Sequence, residues 1–599
     1  MTSHRHHHGK IKKEQALTEV PAMAPQPAVL PVPAANSLLP ERRRHASLPV
    51  SAQAVGELPG SASVLPPEVY LIGCGSAAAN VKQATLERMG SKAWNLLRME
   101  KMALPVPPAF VLGTHYCTAF SARREDLDFA LWQGALQALE RATGQALGDA
   151  RLPLLLSVRS GAPVSMPGMM ETILNIGLCE ATVGGLLRQT GNPRLVWDAY
   201  RRLVATYGEV VAGVPAHLFA MASKALFGER DEGDLDFAES RNLARRFLEI
   251  YAEAVGRPFP QDPKEQLSGA IKAVFASWQS AKACEYRRLN QIPDSIGTAV
   301  TVQRMVFGNA GGRSGAGVGF TRDPASGEPV PWVDFLFNAQ GEDVVSGRRN
   351  AHGHEELSAV LPAVWQSMLD AASQLEHAFA DMQDFEFTVE DDRLFMLQTR
   401  TGKRTPYATA RIALDLLDAG LIDADLARQR TAGLDRASLA RPRIVAPGGV
   451  APVPLAHAAT ASSGVATGEV ALDEARAHAR HAAGVSVVLV RRDAETSDIA
   501  ALESASGLLT EHGARTSHAA VVARQLGKVC LVGCAELQID EENHSIKIGM
   551  TSLQEGDLLT LDGNEGTVYA GAAQTEIEYP ELLLARLELL HQAPKEKVV

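Results

Sequence analysis

The segment 507–534, GLLTEHGARTSHAAVVARQLGKVCLVGC, admits few backbones. A short apolar run, GLLT, ends in a polar loop containing Gly513. AAVVARQLG then has the composition of a helix closed by Gly527. A second apolar run, VCLV, reads as the next strand, so the segment belongs to a compact α/β unit. His518 falls where loop becomes helix, a place where backbone N–H groups are unpaired and favour an anion. An imidazole there can attack phosphorus and keep the resulting phosphate beside those donors. The same residues fit a Thr-Ser helix cap followed by an incidental surface histidine. The rest of the chain weighs against that reading, because it carries the equipment to supply a phosphoryl group.

In the strand-like run around Asp384-Phe385-Glu386 the carboxylates are two apart, so they share one face while Phe385 and Phe387 take the other. Gln398 and Arg400 have the same spacing, and the sequence between suggests a hairpin turning near Asp391 and Asp392. Two acids, an amide and an arginine then converge on one surface. Paired carboxylates suit Mg²⁺ and an arginine neutralises phosphate, although a solvent-facing hairpin with cross-strand charge pairs has the same pattern. Arg159 lies at the end of an expected strand over 153–158, before a loop with Gly161, Met166, Gly168, Met169 and Met170. Glycines there let N–H groups approach phosphates; a mobile loop with a surface arginine is the alternative. Lys92, at a helix start, is a phosphate-binding or an ordinary solvated lysine. The chain has no Walker A loop, and the run at 73–78 fits the dinucleotide fingerprint only loosely. The glycine-rich run 308–320 reads as a hairpin turn, and GAGVGFTRDP, from Gly315 on, as one of this region's strands.

The chain of 599 residues allows three or more domain-sized units, and its net charge of −11 argues against dedication to nucleic acid or anionic membrane. Six cysteines show no CxxC pair and no disulfide framework, which points to a reduced, cytoplasmic compartment. Residues 1–65 are His-, Pro- and Ala-rich and are expected to be a disordered tail. A globular α/β and α+β region follows over 66–435, with a helical insert at about 190–290. Residues 436–463 have a linker's composition, 464–573 form the α/β unit around His518, and 574–599 hold a leucine-rich terminal helix. That helix is either a docking surface for a partner or a connector packed on its own domain.

The blocks SVRSGAPVSMPGMMETILNIGL, FPQDPKEQLSGAIKAVFASW, TAVTVQRMVFGN, NAQGEDVVSG, DMQDFEFTVEDDRLFMLQTRTGKRT and TSHAAVVAR resemble, in order, those of the pyruvate, phosphate dikinase family. The resemblance implies an ATP-grasp-type nucleotide-binding region followed by a swivelling phosphohistidine domain. It implies that Lys92, Arg159, Gly168, Gln398 and Arg400 bind ATP and that Asp384 and Glu386 hold Mg²⁺. His518 becomes the nucleophile and Thr516 a residue open to regulatory phosphorylation. Ser91 and Ala93 stand where the family usually has glycines, and Ala514-Arg515 where it usually has Gly-Met. The family's C-terminal barrel for pyruvate and phosphoenolpyruvate has no counterpart before Val599. The expectation is therefore a phosphotransferase whose acceptor, pyruvate or another molecule, is bound by a separate partner chain. A nucleotide-sensing remnant and a fragment of a longer protein are the alternatives. No nucleic-acid or membrane partner is expected, and the oligomeric state stays open, a homo-oligomer included.

Overall fold

The computed structural model describes residues 65–75, 81–123, 127–166, 168–345, 353–493 and 498–592. The expected tail, except Leu65, and part of the 73–78 run lie outside the described residues.

Two antiparallel sheets form the first half. Strands β1 (Val69–Ile72), β2 (Ala109–Leu112), β3 (Leu156–Gly161), β4 (Thr172–Ile176) and β5 (Ala299–Arg304) are ordered β1-β2-β5-β3-β4. Strands β6 (Gly315–Phe320), β7 (Trp332–Phe337), β8 (Gln383–Glu390) and β9 (Arg393–Thr401) are ordered β7-β6-β8-β9. The alternation in β8 puts Phe385 and Phe387 in a core with Phe335 and Met396, while Asp384 and Glu386 take the opposite face. Burying each such ring contributes roughly 1.5–3 kcal/mol.

Two expectations are corrected here. The strand expected over 153–158 runs instead from Leu156 to Gly161, so Arg159 sits inside it. It extends that far because β5 pairs with it through Gly161 opposite Ala299. The glycine-rich run 308–320 is not a hairpin turn: its second half is β6, a buried strand flanked by β7 and β8. Glycines recur there because aromatic rings lie over them; a Cβ on Gly317 would fall 2.5 Å from Cζ of Phe387.

The insert is helical, as its periodicity indicates. Helix Pro193–Val210 begins with an Asn192 cap and proline in its first turn, and helix Phe237–Val255 with an Asp236–Glu239 capping box. Arg202 ties the first of these to the segment Gly341–Val345, donating to Asp198 at 2.9 Å and to Asp343 at 3.0 Å.

The unit around His518 is an eight-stranded sheet. Its centre is parallel: Val465–Ala471, Val487–Arg491, Gly507–Thr510 and Val529–Val532 lie side by side. Burial on both faces explains their continuous apolar runs. The segment expected as a linker is partly strand. Ala456–His457 and Ala459–Ser462 join this sheet, and Arg441–Ile444 pairs with Thr575–Glu578 in a separate two-stranded ribbon. The terminal helix Glu581–Gln592 packs Leu587 and Leu590 against the helices Pro406–Asp418 and Ala424–Arg430, and His591 bonds Thr431 at 2.9 Å. It is thus seated on its own chain, although Leu582 and Leu589 are exposed.

Candidate functional site

A cavity of about 320 Å³ opens between the two sheets. Ser157 and Arg159 reach it from β3, Thr172 and Leu174 from β4, and Gln303 and Arg304 from β5. Gly317 and Val318 close it from β6, Glu386 and Thr388 from β8, and Leu397 and Gln398 from β9. Lys92 enters from the helix Leu86–Lys101.

That helix is kinked at Gly90, with φ 74° and ψ 158°, and its regular turns resume at Ser91. A Cβ on Gly90 would sit 1.8 Å from the Gly161 carbonyl oxygen, so the helix can meet the end of β3 only as glycine. Ser91 locks the junction, its N–H donating to the Ala162 carbonyl at 3.0 Å and its hydroxyl to the same oxygen at 2.9 Å. Gly90 thus supplies the close approach of this helix to β3 and fixes where Lys92, two residues on, enters the cavity.

The hairpin turns at Asp391 and Asp392, both with positive φ. Its register sets Asp384 opposite Arg400 and Glu386 opposite Gln398, and Leu397 is left without a cross-strand partner. This bulge next to the cavity lets Leu397 and Gln398 both line it. Arg400 Nε donates to Asp384 Oδ2 at 2.8 Å. Burial pushes the Asp384 carboxyl up, against the pull of Arg400.

Lys92 and Arg159 have no ion-pair partner among the described residues, and the buried Arg159 Nε has no hydrogen-bond partner there. Burial, and next the Arg159 charge, pull the Lys92 ammonium from its ordinary 10.5 to about 8, against the opposing field of Glu386. Two unpaired cations facing one cavity fit a polyanion. The donor set also fits Mg²⁺, which takes oxygen ligands from one or two carboxylates and completes its shell with phosphate and water. Glu386 is the carboxylate available for it, since Asp384 is held by Arg400 and Glu342 lies 3.5 Å from Arg202. Leu174, Met305, Val306 and Leu397 give the cavity an apolar side suited to a flat ring.

Of the expected residues, Lys92, Arg159, Glu386 and Gln398 line the cavity, and Asp384 and Arg400 pair beside it on the same hairpin. Gly168 does not line it; it stands exposed with φ 71° and open space around its Cα. Residue-level reading missed Thr172, Gln303, Arg304, Gln340 and Glu342. The last two belong to the NAQGEDVVSG block, whose polar loop following strand β7 was the available signal.

His518 is the first residue of the helix His518–Gln525, and the hydroxyl of Ser517 caps it by accepting from the Ala520 N–H at 3.4 Å. The helix crosses between two parallel strands, so its start lies outside the carboxyl end of Gly507–Thr510, where open α/β sheets place ligands. Thr516 is 6% exposed and its hydroxyl is buried, so a kinase could reach it only after the loop opened. The loop rests on the second sheet: Arg515 bonds Asp334 of β7, and Arg524 lies among Phe320, Trp332 and the field of Asp384.

A cleft lined by Lys92 and Arg159, together with a parallel α/β unit whose helix opens on histidine, suits a two-part protein that handles phosphate. A profile described as the AMP/ATP-binding domain of pyruvate phosphate dikinase matches residues 132–356, and one described as the mobile domain of PEP-utilising enzymes matches residues 484–566. Pyruvate, phosphate dikinase of Clostridium symbiosum is 42% identical over 495 residues, which are 82% of this chain and 57% of that protein. Pyruvate, phosphate dikinase 2 of Zea mays is 41% identical over 509 residues, 84% of this chain and 57% of that protein. Over most of its length the chain is thus similar to members of the pyruvate, phosphate dikinase family. It spans a little over half the length of these curated relatives. A solution structure of Enzyme I covers 18% of the chain at 29% identity with a TM-score of 0.12, too little for structural comparison. No described helix is long and apolar enough to cross a membrane, and all six cysteines are free.

Proposed function

We propose that this chain is an ATP-dependent phosphotransferase that phosphorylates its own His518 and hands the phosphoryl group to an acceptor. The observation that carries this reading is the pair of unpartnered cations, Lys92 and Arg159, facing a cavity that also holds Glu386 and Gln398. Arg159 and Lys92 would bind the phosphates, Gln398 would bind ATP by its amide, and Arg400 would hold Asp384 in register. Glu386, with Asp384 behind it, would hold Mg²⁺, which supplies charge neutralisation when bound. A lone pair on the imidazole forms an N–P bond as the P–O bond to the departing nucleotide breaks. ADP leaves from attack at the γ phosphorus or AMP from attack at the β phosphorus, and the leaving oxygen takes the electron pair. Such in-line transfer asks the protein for positioning and charge, which this cleft provides. The onward acceptor, a pyruvate-type molecule, would be presented by a partner surface outside residues 65–592.

The test is incubation with Mg²⁺ and ATP labelled at the β or γ position, with and without inorganic phosphate. Acid-labile, base-stable label that disappears in His518→Ala supports the proposal. Label from the β position, with AMP released and pyrophosphate formed only when phosphate is present, identifies the dikinase half-reaction. ATP binding without any label would defeat it and leave a nucleotide sensor.

A further inference from the structure

Arg515 does not line the cleft, yet its side chain reaches across to the second sheet. Its Nε donates to Asp334 Oδ1 at 2.9 Å and its Nη2 to the Val333 carbonyl at 3.1 Å. Its guanidinium carbon lies 3.9 Å above the Trp332 ring. One side chain thus reads consecutive residues of β7, on the loop that leads directly into His518. Asp334 pairs across the sheet with Val318, a wall of the cavity, so the anchor and the cleft share a rigid element. Asp334 is 2% exposed and its Oδ2 is buried with no hydrogen-bond partner, so Arg515 is the cation that compensates it. Behind the pair, Arg524 donates to the Arg515 carbonyl at 3.2 Å and to the Ala461 carbonyl, bracing the loop from its own helix.

We propose that Arg515 is a positioning residue: its pair with Asp334 fixes where the histidine loop docks on the ATP cleft, and so the register in which His518 meets the phosphates. This rests on the reading of His518 as phosphoryl acceptor. The chemistry of the contact explains why it is ionic. A buried ion pair adds little net stability against its hydrated, separated form, but any misplaced docking that leaves Asp334 buried alone is strongly penalised. A domain that must dock in one geometry and then leave needs that combination. An apolar contact of equal area holds without selecting a register.

Single-turnover labelling from ATP, read as the maximal rate and as the ATP concentration giving half of it, tests this in wild type, R515M, D334N, R515K and R515M/D334N. R515M is expected to lower the maximal rate at least about tenfold while the half-saturating ATP concentration stays unchanged, because the cleft is intact. R515K should recover part of the loss, keeping the charge but not the forked donors. R515M/D334N should be no slower than R515M, since it removes the stranded carboxylate. Wild-type labelling rates in R515M, or losses that multiply in the double variant, would overturn the proposal. Should R515M fail to fold, D334N and R515K carry the same comparison. Absence of label in the wild type would defeat the His518 reading itself, which separates that failure from this one.

Discussion

Lys92→Met provides a quantitative test of the cleft, because the charge of Lys92 is held there at a disadvantage. Its ammonium is lowered from 10.5 to about 8, chiefly by burial. At 1.36 kcal/mol per pH unit that shift corresponds to roughly 3 kcal/mol, an upper bound for a side chain that is only partly covered. The sign follows from proton binding. Below pH 8 both folded and unfolded chains hold the proton and the penalty is fully present. Between about 8 and 10.5 the unfolded chain holds a proton that the folded one has lost, so stability rises with pH in that window. Methionine keeps most of the stem's volume and removes the charge. Without nucleotide, Lys92→Met should therefore melt several degrees above wild type at pH 7, and the gap should close toward pH 10. Other titrations cancel in the difference between the two proteins. ATP affinity should fall at least about tenfold in the variant, and in the wild type should weaken as pH rises past 8. A variant less stable than wild type at pH 7, or a melting gap equal at both pH values, would refute the reasoning.

Gly90→Ala should destabilise the first half by at least about 2–3 kcal/mol, since its Cβ would lie 1.8 Å from the Gly161 oxygen at φ 74°. Thermal unfolding should show it, and residual folded protein should bind ATP weakly because Lys92 is displaced. Gly317→Ala should cost about 1–3 kcal/mol by overpacking, its Cβ meeting Phe387 Cζ at 2.5 Å and the Asp334 carbonyl at 2.7 Å. A denaturant midpoint equal to wild type would contradict this.

Periodicity made the hairpin's faces legible, since alternation alone assigns Asp384 and Glu386 to one side and Phe385 and Phe387 to the other. It could not reveal the bulge at Leu397, which depends on how two strands align rather than on either one. Strand β6 was legible only in part, since GAGVGFTRDP reads as a strand while the longer glycine-rich run around it reads as a turn. Glycine has poor strand propensity, and the requirement for it comes from rings on β7 and β8, distant in sequence. The supposed linker misled because composition says nothing of backbone pairing: Arg441–Ile444 is ordered by Thr575–Glu578 through main-chain bonds. His518 at a helix start was plain from its flanking runs. The partner of Arg515 was not, lying 181 residues away on another sheet.

The charges around the cavity narrow the ligand further. Asp384 and Arg400 neutralise each other and Glu342 lies 3.5 Å from Arg202, leaving Lys92, Arg159 and Arg304 around the carboxylate of Glu386. A monoanion on Arg159 would leave Lys92 desolvated and unpaired, whereas a polyphosphate reaches both. The same polyphosphate would meet Glu386 as a like charge unless a divalent cation lay between them. The cleft is thus balanced for polyphosphate and cation together, and poorly for either alone. Glu386→Gln should expose this as a reversal of sign. In EDTA the variant should bind ATP more tightly than wild type, by roughly three- to tenfold, since one repulsion of about 1 kcal/mol is removed. With Mg²⁺ in excess it should bind more weakly and lose His518 labelling. Calorimetric titration under both conditions measures the two affinities. If Glu386→Gln changed affinity in the same direction with and without Mg²⁺, Glu386 would not be the residue that the cation serves.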